Sequence, residues 1–466
     1  MSEGIVIVGN GVIGQSLAFE LLERGWKAPI FLVGRAERPG CASLAAGAML
    51  NSFAELEEGS LDHEIDRLKF EISRKATSLW PSWVERLNAY APLSSLQLRL
   101  GTIVLNNASS NALDDVNFET IIRHLGEFNE PFETIHPAEI AAYSPSPRQR
   151  ALRAIFLPRE GYINPGQLFS AYAQAFARHS NLKLVNTHAE SILIAGDSSV
   201  EGVRLESGER LLSSQVLIAS GAAVTPLLEK TPLASTVQRV FYGVGCSLVV
   251  GTGDRTPKFV VRTPNRGLAC GVYQVPYGEG TSCIGASNFI SPEPEFHPRL
   301  TSIEAILRAA MEQLNTSYYK SQLIKTNVGF RPTTADTFPL VGPTSVKGLY
   351  LATGTKRDGI HCAPFWSAVL ADLVEGKKID ARLDVFRPER TLIRTLTKAQ
   401  GIAKAVKHHL SGAYQHELEL PKSGWESSIE DFLRSKVEEI YAVSNVANYG
   451  IPPEMLDMYR YGHIKS

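Results

Sequence analysis

Three glycines, Gly9, Gly11 and Gly14, stand between an apolar tetrapeptide, Ile5-Val-Ile-Val8, and a segment carrying Leu17, Leu21 and Leu22. That is the G-x-G-x-x-G spacing through which a turn and a helix N-terminus take hold of a dinucleotide pyrophosphate. Gly9 permits the tight turn, Gly11 lets phosphate approach the backbone, and Gly14 lets helix and strand pack closely. The helix end adds unpaired N–H groups and the positive end of its dipole. For this to work, residues 5–8 must form a strand buried on both faces, and residues 16–24 a helix that Gly25 stops.

Two further stretches bear on the same ligand. Residues 40–52, Gly-Cys-Ala-Ser-Leu-Ala-Ala-Gly-Ala-Met-Leu-Asn-Ser, are small enough for backbone to lie against a flat ring, or else form a flexible loop. Residues 348–354 read as a strand, and Thr355-Lys-Arg-Asp-Gly-Ile-His-Cys-Ala-Pro364 opens a helix ending near Gly376, whose N-terminus can face the ligand that Gly9, Gly11 and Gly14 face. His361 and Cys362 in that turn read as structural, a polar pair opening an apolar helix. A second strand at 29–33 ends in Gly34-Arg35, where a carboxylate ordinarily accepts the ribose hydroxyls about 20 residues past the glycines. Gly34 has no acceptor. Arg35 can face a 2′-phosphate, as in NADP sites, stack over adenine, or remain solvated.

The rest of the chain must position these pieces. Its 466 residues suggest two to three domains, and 44% hydrophobic with 20% charged residues is a soluble globular composition. Lys and Arg number 47 against 48 Asp and Glu, so no bulk field favours nucleic acid or an anionic membrane. The five cysteines are scattered without C-x-x-C spacing, no apolar run reaches about 18 residues, and no targeting segment precedes the first strand. A cytoplasmic protein is expected. Residues 61–90 read as an amphipathic helix with Ile65, Leu68, Ile72, Leu79 and Trp83 on one side, interrupted at Pro81. Strands at 98–105 and 154–158 flank a helix at 112–125; Asn164-Pro165 starts another helix through about 179, and 216–222 is a core strand. The β-branched segments 237–250, 258–275 and 281–287 suggest a separate antiparallel sheet. Basic amphipathic helix is expected at 391–410, and a further helix at 428–443.

Taken in order, the chain's motifs resemble the D-amino-acid oxidase superfamily of FAD-dependent oxidoreductases, most closely its glycine oxidase branch. They are Gly9-x-Gly11-x-x-Gly14, the run Ala42-Ser43-Leu-Ala-Ala46-Gly47-Ala-Met49, Gly161-Tyr-Ile-Asn-Pro165, Ala219-Ser-Gly221, Val272-Tyr-Gln-Val-Pro276, Gly329-Phe-Arg331-Pro332, Asp336-x-x-Pro339-Leu-Val-Gly342 and Gly354-x-x-Arg357-x-Gly359-Ile360. The resemblance spans about residues 4–390. It implies an α/β fold in which an FAD-binding Rossmann-type domain (1–92, 155–235 and 329–390) is interleaved with an antiparallel-sheet α+β substrate domain (93–154 and 236–328), followed by a helical C-terminal extension (391–466).

By the same resemblance, non-covalent FAD would be held by Gly9, Gly11, Gly14, Arg35, Ser43, Ala46, Gly47, Met49, Gly221, Gly354, Arg357, Gly359 and Ile360. Tyr273 and Arg331 would clamp a substrate carboxylate, with Arg357 at the mouth of the site. The implied reaction oxidises the C–N bond of a small carboxylate-bearing amine, with dioxygen as acceptor. Two departures stand out: Gly34 replaces the ribose acid, and Thr355 stands where many relatives have His. An NADP-dependent dehydrogenase and a non-catalytic binding protein are the alternative readings. On residues alone, Arg331 can equally pair with Asp336, Tyr273 can be a sheet-core residue, and Arg357 a solvated turn residue or phosphate contact. The extension can pack on the body or a second copy, close over the entrance as a lid, or dock a partner.

Overall fold

The computed structural model describes residues 4–90, 95–108, 111–268, 271–415, 418–420 and 424–464. Cys270 and the expected domain boundary at 92/93 lie outside them. Ile5–Val8 forms the centre of a six-stranded sheet, in the order Leu340–Pro343, Leu349–Thr353, Val216–Ile218, Ile5–Val8, Ile30–Val33, Leu182–Val185. All pairs are parallel except the first, at the edge. Period-two alternation divides the central strand between two cores. Ile5 and Ile7 join the helices Val12–Glu23, Glu64–Asn88, Pro165–Phe176 and Ala363–Val374, while Val6 and Val8 face a three-stranded meander through Ile192, Val203 and Leu205.

The Val12–Glu23 helix begins directly after Gly11, four residues earlier than the leucine spacing suggested, and Gly25 at φ 81° ends it. Glu64–Asn88 runs unbroken through Pro81, contrary to the expected interruption. Trp80, Trp83, Val84 and Leu87 around the proline are buried, and that packing outweighs the one hydrogen bond Pro81 cannot donate.

The second sheet has ten strands. Its backbone is the long pairing of Val240–Gly251 with Gln322–Thr334, and it continues through Thr281–Gly285, Tyr273–Gly278, Val260–Arg262, Leu98–Asn107 and Ala151–Ile163 to Met49–Leu50. Every pair is antiparallel except Val260–Arg262 with Leu98–Asn107. Residues 154/155 and 328/329, where the domain segments were expected to change, fall inside strands of this sheet. Leu50, at the edge of this sheet, joins the core that holds Ile5 and Ile7 of the parallel sheet, and Met49 and Arg331 line the same space.

The extension packs on the body. Its first helix is Lys398–Gln415, later than the expected 391–410, because Asp336 accepts from the Ile393 amide at 2.9 Å and from Arg390, holding the preceding segment extended. Thr397 and Gln400 then form a reciprocal capping box. Trp425–Val443 follows, and Val437, Tyr441, Ile451, Met455 and Tyr459 bury themselves with Phe241 of the large sheet.

Candidate active site

A cavity of about 670 Å³ opens at the carboxyl ends of the parallel strands, between the two sheets, where ligands bind in open α/β folds. Its floor is the first turn. Gly9 has φ 116° and a Cβ there would overlap the Ala219 carbonyl; at Gly14 it would overlap the Gly9 carbonyl and come within 3.2 Å of Ile7. Gly14 therefore acts through packing and does not line the cavity, and Gly354, at φ 72° against Thr334 and Leu340, likewise shapes its turn from behind. Gly9, Gly11, Arg35, Ser43, Ala46, Gly47, Met49, Gly221, Arg357, Gly359 and Ile360 all line it. Gly11 offers the Val12–Glu23 helix no side-chain cap, though the Val12 amide donates to Ser43 Oγ at 3.3 Å, and the helix N-terminus borders the space.

One wall is flat because its residues are small. The short helix Ala42–Ala45 lies on Gly329, where a Cβ would come within 2.7 Å of Ala45 and 2.9 Å of Ala42. Opposite, Ser220 Oγ is buried with no hydrogen-bond partner among the described residues. A glycine floor, a helix N-terminus, a flat wall and a spare hydroxyl suit a flavin dinucleotide. Arg35 is committed elsewhere: its guanidinium meets Glu206 at 2.7 Å, both half-exposed.

Arg331 enters from the large sheet. Its Nη1 donates to the Ser287 carbonyl and to Asn288 Oδ1, each at 3.2 Å. The side chain fits because position 245, across the strand pair, is glycine; a Cβ there would overlap the guanidinium. The expected alternative, a pair with Asp336, does not form. Asp336 is taken by Arg390, Gln238 and the amides of Phe338 and Ile393. Among the described residues Arg331 pairs with no carboxylate, and it lines the cavity. Tyr273 lines it too, though only 4% exposed. Its ring fills a slot between Gly47 and Gly285, where a Cβ at Gly47 would lie 2.7 Å from the ring edge.

Arg357 stands where this cavity meets a second, more polar one of about 490 Å³. It faces Glu55 at 3.6 Å and Glu57 at 3.9 Å. Sequence reasoning missed these carboxylates and most of their neighbours. Glu55 is also paired with the fully buried Arg262, Lys69 with Asp358 at 3.3 Å, Lys356 with Glu454, and Lys404 with Glu57 at 3.3 Å. Burial opposes the charge on Glu55, Glu57 and Asp358, but the facing cations win and hold all three below the ordinary carboxylate range. Only the Lys356-Arg357-Asp358 run hinted at this network. Glu160, also missed, anchors the end of the small-residue run by accepting from Asn51 and from the amides of Ser52, Phe53 and Ala54. Burial nonetheless pushes it up to about 7.

His361 and Cys362, read as structural, are both buried, and His361 also lines the cavity. The His361 ring meets Thr77 Oγ1 at 2.7 Å, its carbonyl accepts from Trp80, and burial pushes its pKa down to about 4, so it is neutral. Thr355 is nearly buried on the cavity wall. Of the cysteines described, all free, only Cys41 reaches that wall.

Residues 4–373 match the family model described as DAO, FAD dependent oxidoreductase. The chain belongs to that family. FAD is accordingly its cofactor, and the NADP option for Arg35 falls away, in keeping with its pairing to Glu206. Glycine oxidase of Geobacillus kaustophilus is 28% identical over 379 residues, covering 80% of this chain and 93% of that protein. The bifunctional protein ThiO/ThiG of Nostoc sp. is 26% identical over 84% of this chain, but the match covers 55% of its length. The chain thus spans about half the length of the bifunctional relatives it matches. Among solved structures, glycine oxidase from Geobacillus kaustophilus superposes with a TM-score of 0.70 at 22% identity, over 84% of this chain and 99% of that one, which establishes the fold. Among the described residues no helix is long and apolar enough to cross a membrane, and no group of His, Cys, Asp or Glu is arranged to hold a metal.

Proposed function

We propose that this protein oxidises the C–N bond of a small amino acid or related carboxylate-bearing amine to an imine, which water then hydrolyses to a 2-oxo acid and ammonia or an amine. The observation that carries the proposal is Arg331, a cavity-lining guanidinium with no carboxylate of its own and a glycine opposite that makes room for it. Its planar fork can take a substrate carboxylate through two parallel charge-assisted hydrogen bonds, fixing orientation as well as affinity. Tyr273 closes the same wall and can add a hydroxyl contact. Bound FAD supplies the two-electron acceptor for the hydride that leaves the α carbon, with dioxygen the proposed reoxidant. The neutral substrate nitrogen drives that loss through its lone pair, so positioning is the protein's main task. Arg357, facing Glu55 at 3.6 Å and Glu57 at 3.9 Å, is placed to meet substrate at the entrance. The names of the relatives, glycine oxidase among them, support the same substrate class.

The test is anaerobic addition of glycine, sarcosine and D-alanine to the flavin-loaded protein. Bleaching of the flavin absorbance by one of them, with an Arg331→Leu variant needing orders of magnitude more substrate at unchanged flavin content, is the expected result. A flavin reduced equally well in both proteins removes Arg331 from the site.

A further inference from the structure

The FAD-binding turn lacks its usual ribose acceptor, since position 34 is Gly. The structure has put another side chain in the vacated place. A Cβ built on Gly34 would lie 2.6 Å from Asn10 Oδ1 and 2.8 Å from Asn10 Nδ2, so the Asn10 amide occupies the volume in which a residue-34 side chain would begin. Asn10 is the variable residue between the first two glycines of the turn, and Gly9 N donates to the Val33 carbonyl at 2.8 Å, which brings that turn over the end of the second strand. Asn10, Gly34 and Arg35 line the cavity side by side.

The orientation of the amide is determined by its partners. Asn10 Nδ2 donates to the Arg35 carbonyl at 2.9 Å, and the Asn10 carbonyl accepts from Gln15 at 2.8 Å and Arg38 at 3.2 Å, so both backbone and side chain are pinned. With Nδ2 committed to a carbonyl, Oδ1 is left as an acceptor with no protein partner among the described residues. A ribose hydroxyl is the donor that the missing acid would have served.

We infer that Asn10 supplies the adenosine-ribose contact of FAD in place of a carboxylate at position 34, the two positions acting as an exchangeable pair. The inference rests on FAD being the cofactor and not on the proposed substrate. A neutral carbonyl acceptor is weaker than a carboxylate, because it forgoes charge assistance. It also requires residue 34 to stay glycine: either position can carry the acceptor, and their side chains exclude each other.

The experiment is a double-mutant cycle on FAD affinity, read as the dissociation constant from flavin fluorescence on reconstituting stripped protein, with folding followed by circular dichroism. Asn10→Ala should weaken FAD binding roughly 2- to 10-fold, the effect of one lost hydrogen bond. Gly34→Glu alone should weaken it further, because its Cβ overlaps Asn10. Asn10→Ala combined with Gly34→Glu should recover wild-type affinity or better, a strongly non-additive cycle. Unchanged affinity in Asn10→Ala overturns the inference, and so does additivity of the two substitutions. Whether any amine reduces the flavin does not enter the measurement, so failure here and failure of the proposed reaction are separate results.

Discussion

Gly245→Ala is the substitution that tests the site with least disturbance to its charge. The new methyl would overlap Nη1, Cζ and Nη2 of Arg331. An ordinary carbon contact needs about 3.5 Å or more, so the guanidinium must shift by over about 1 Å. It is the far end of a flexible side chain, and the fold can absorb the movement. The shift breaks both 3.2 Å hydrogen bonds, to the Ser287 carbonyl and to Asn288, that now aim the fork. Charge-assisted hydrogen bonds are worth about 1.5–3 kcal/mol each, and a 1 Å misplacement of a positioning group costs about 100-fold in rate. Substrate dissociation constants should therefore rise by roughly 10- to 100-fold, and the limiting rate of flavin reduction should fall, in anaerobic stopped-flow measurements. Gly251→Ala on the same strand is the control, since its Cβ would meet nothing closer than 3.6 Å. If Gly245→Ala binds and oxidises substrate like the control, Arg331 does not orient the substrate and the reasoning fails.

Three other outcomes are expected. His361 is held neutral with a pKa near 4 against an ordinary 6.5, so the unfolded chain binds its proton first, and stability is lost as pH falls from about 6.5 towards 4. Glu160, raised to about 7, acts with the opposite sign between its ordinary value and 7, so the clean readout is the wild-type curve minus that of His361→Gln. Denaturant midpoints from pH 4 to 8 should give a difference rising by up to about 1.4 kcal/mol per pH unit within that window, and a flat difference would contradict a buried neutral ring. Asp336→Asn leaves Arg390 buried without its carboxylate and should cost about 3–5 kcal/mol in chemical denaturation; a loss below about 1 kcal/mol would mean the pair is solvated. Ile451→Ala, at a fully buried position in the core of the extension, should cost about 2–5 kcal/mol if the extension unfolds with the body. A separate low-temperature transition would instead mark it as an independent unit.

What the sequence revealed about this fold is what local physics encodes. The glycines at 9, 11 and 14 and the alternating strands announce themselves because their steric requirements lie within a few residues. The small-residue wall was legible for the same reason. Local rules failed where distant packing overrode them: at Pro81, carried through a helix by buried tryptophans, and at residues 391–397, held out of a helix by Asp336. The site divides along the same line. Arg331 could be placed by its motif, whereas Glu55 and Glu58 have partners 207 and 349 residues away, Arg262 and Lys407, and no spacing in the chain announces such pairs. Asn10 was invisible because it occupies a variable position whose meaning depends on Gly34.

The extension illustrates how far such long-range pairing reaches. The acidic turn at 55–58 follows directly on the wall of the cavity; Glu55 and Glu57 are largely buried, whereas Glu58 is exposed. Burying the first two costs free energy unless cations are supplied. The large sheet supplies Arg262 to Glu55, and the extension supplies Lys404 to Glu57 and Lys407 to Glu58, with His408 3.7 Å from Glu57. Glu454 returns the favour to Lys356, whose charge is opposed by burial and by the neighbouring Arg357 and Lys69. Arg357 sits between Glu55 and Glu57, so its position depends on where both carboxylates are held. The basic face of the helix Lys398–Gln415, for which packing on the body or a second copy, a lid and a partner dock were all open, thus supplies cations to the acidic turn that Arg357 faces.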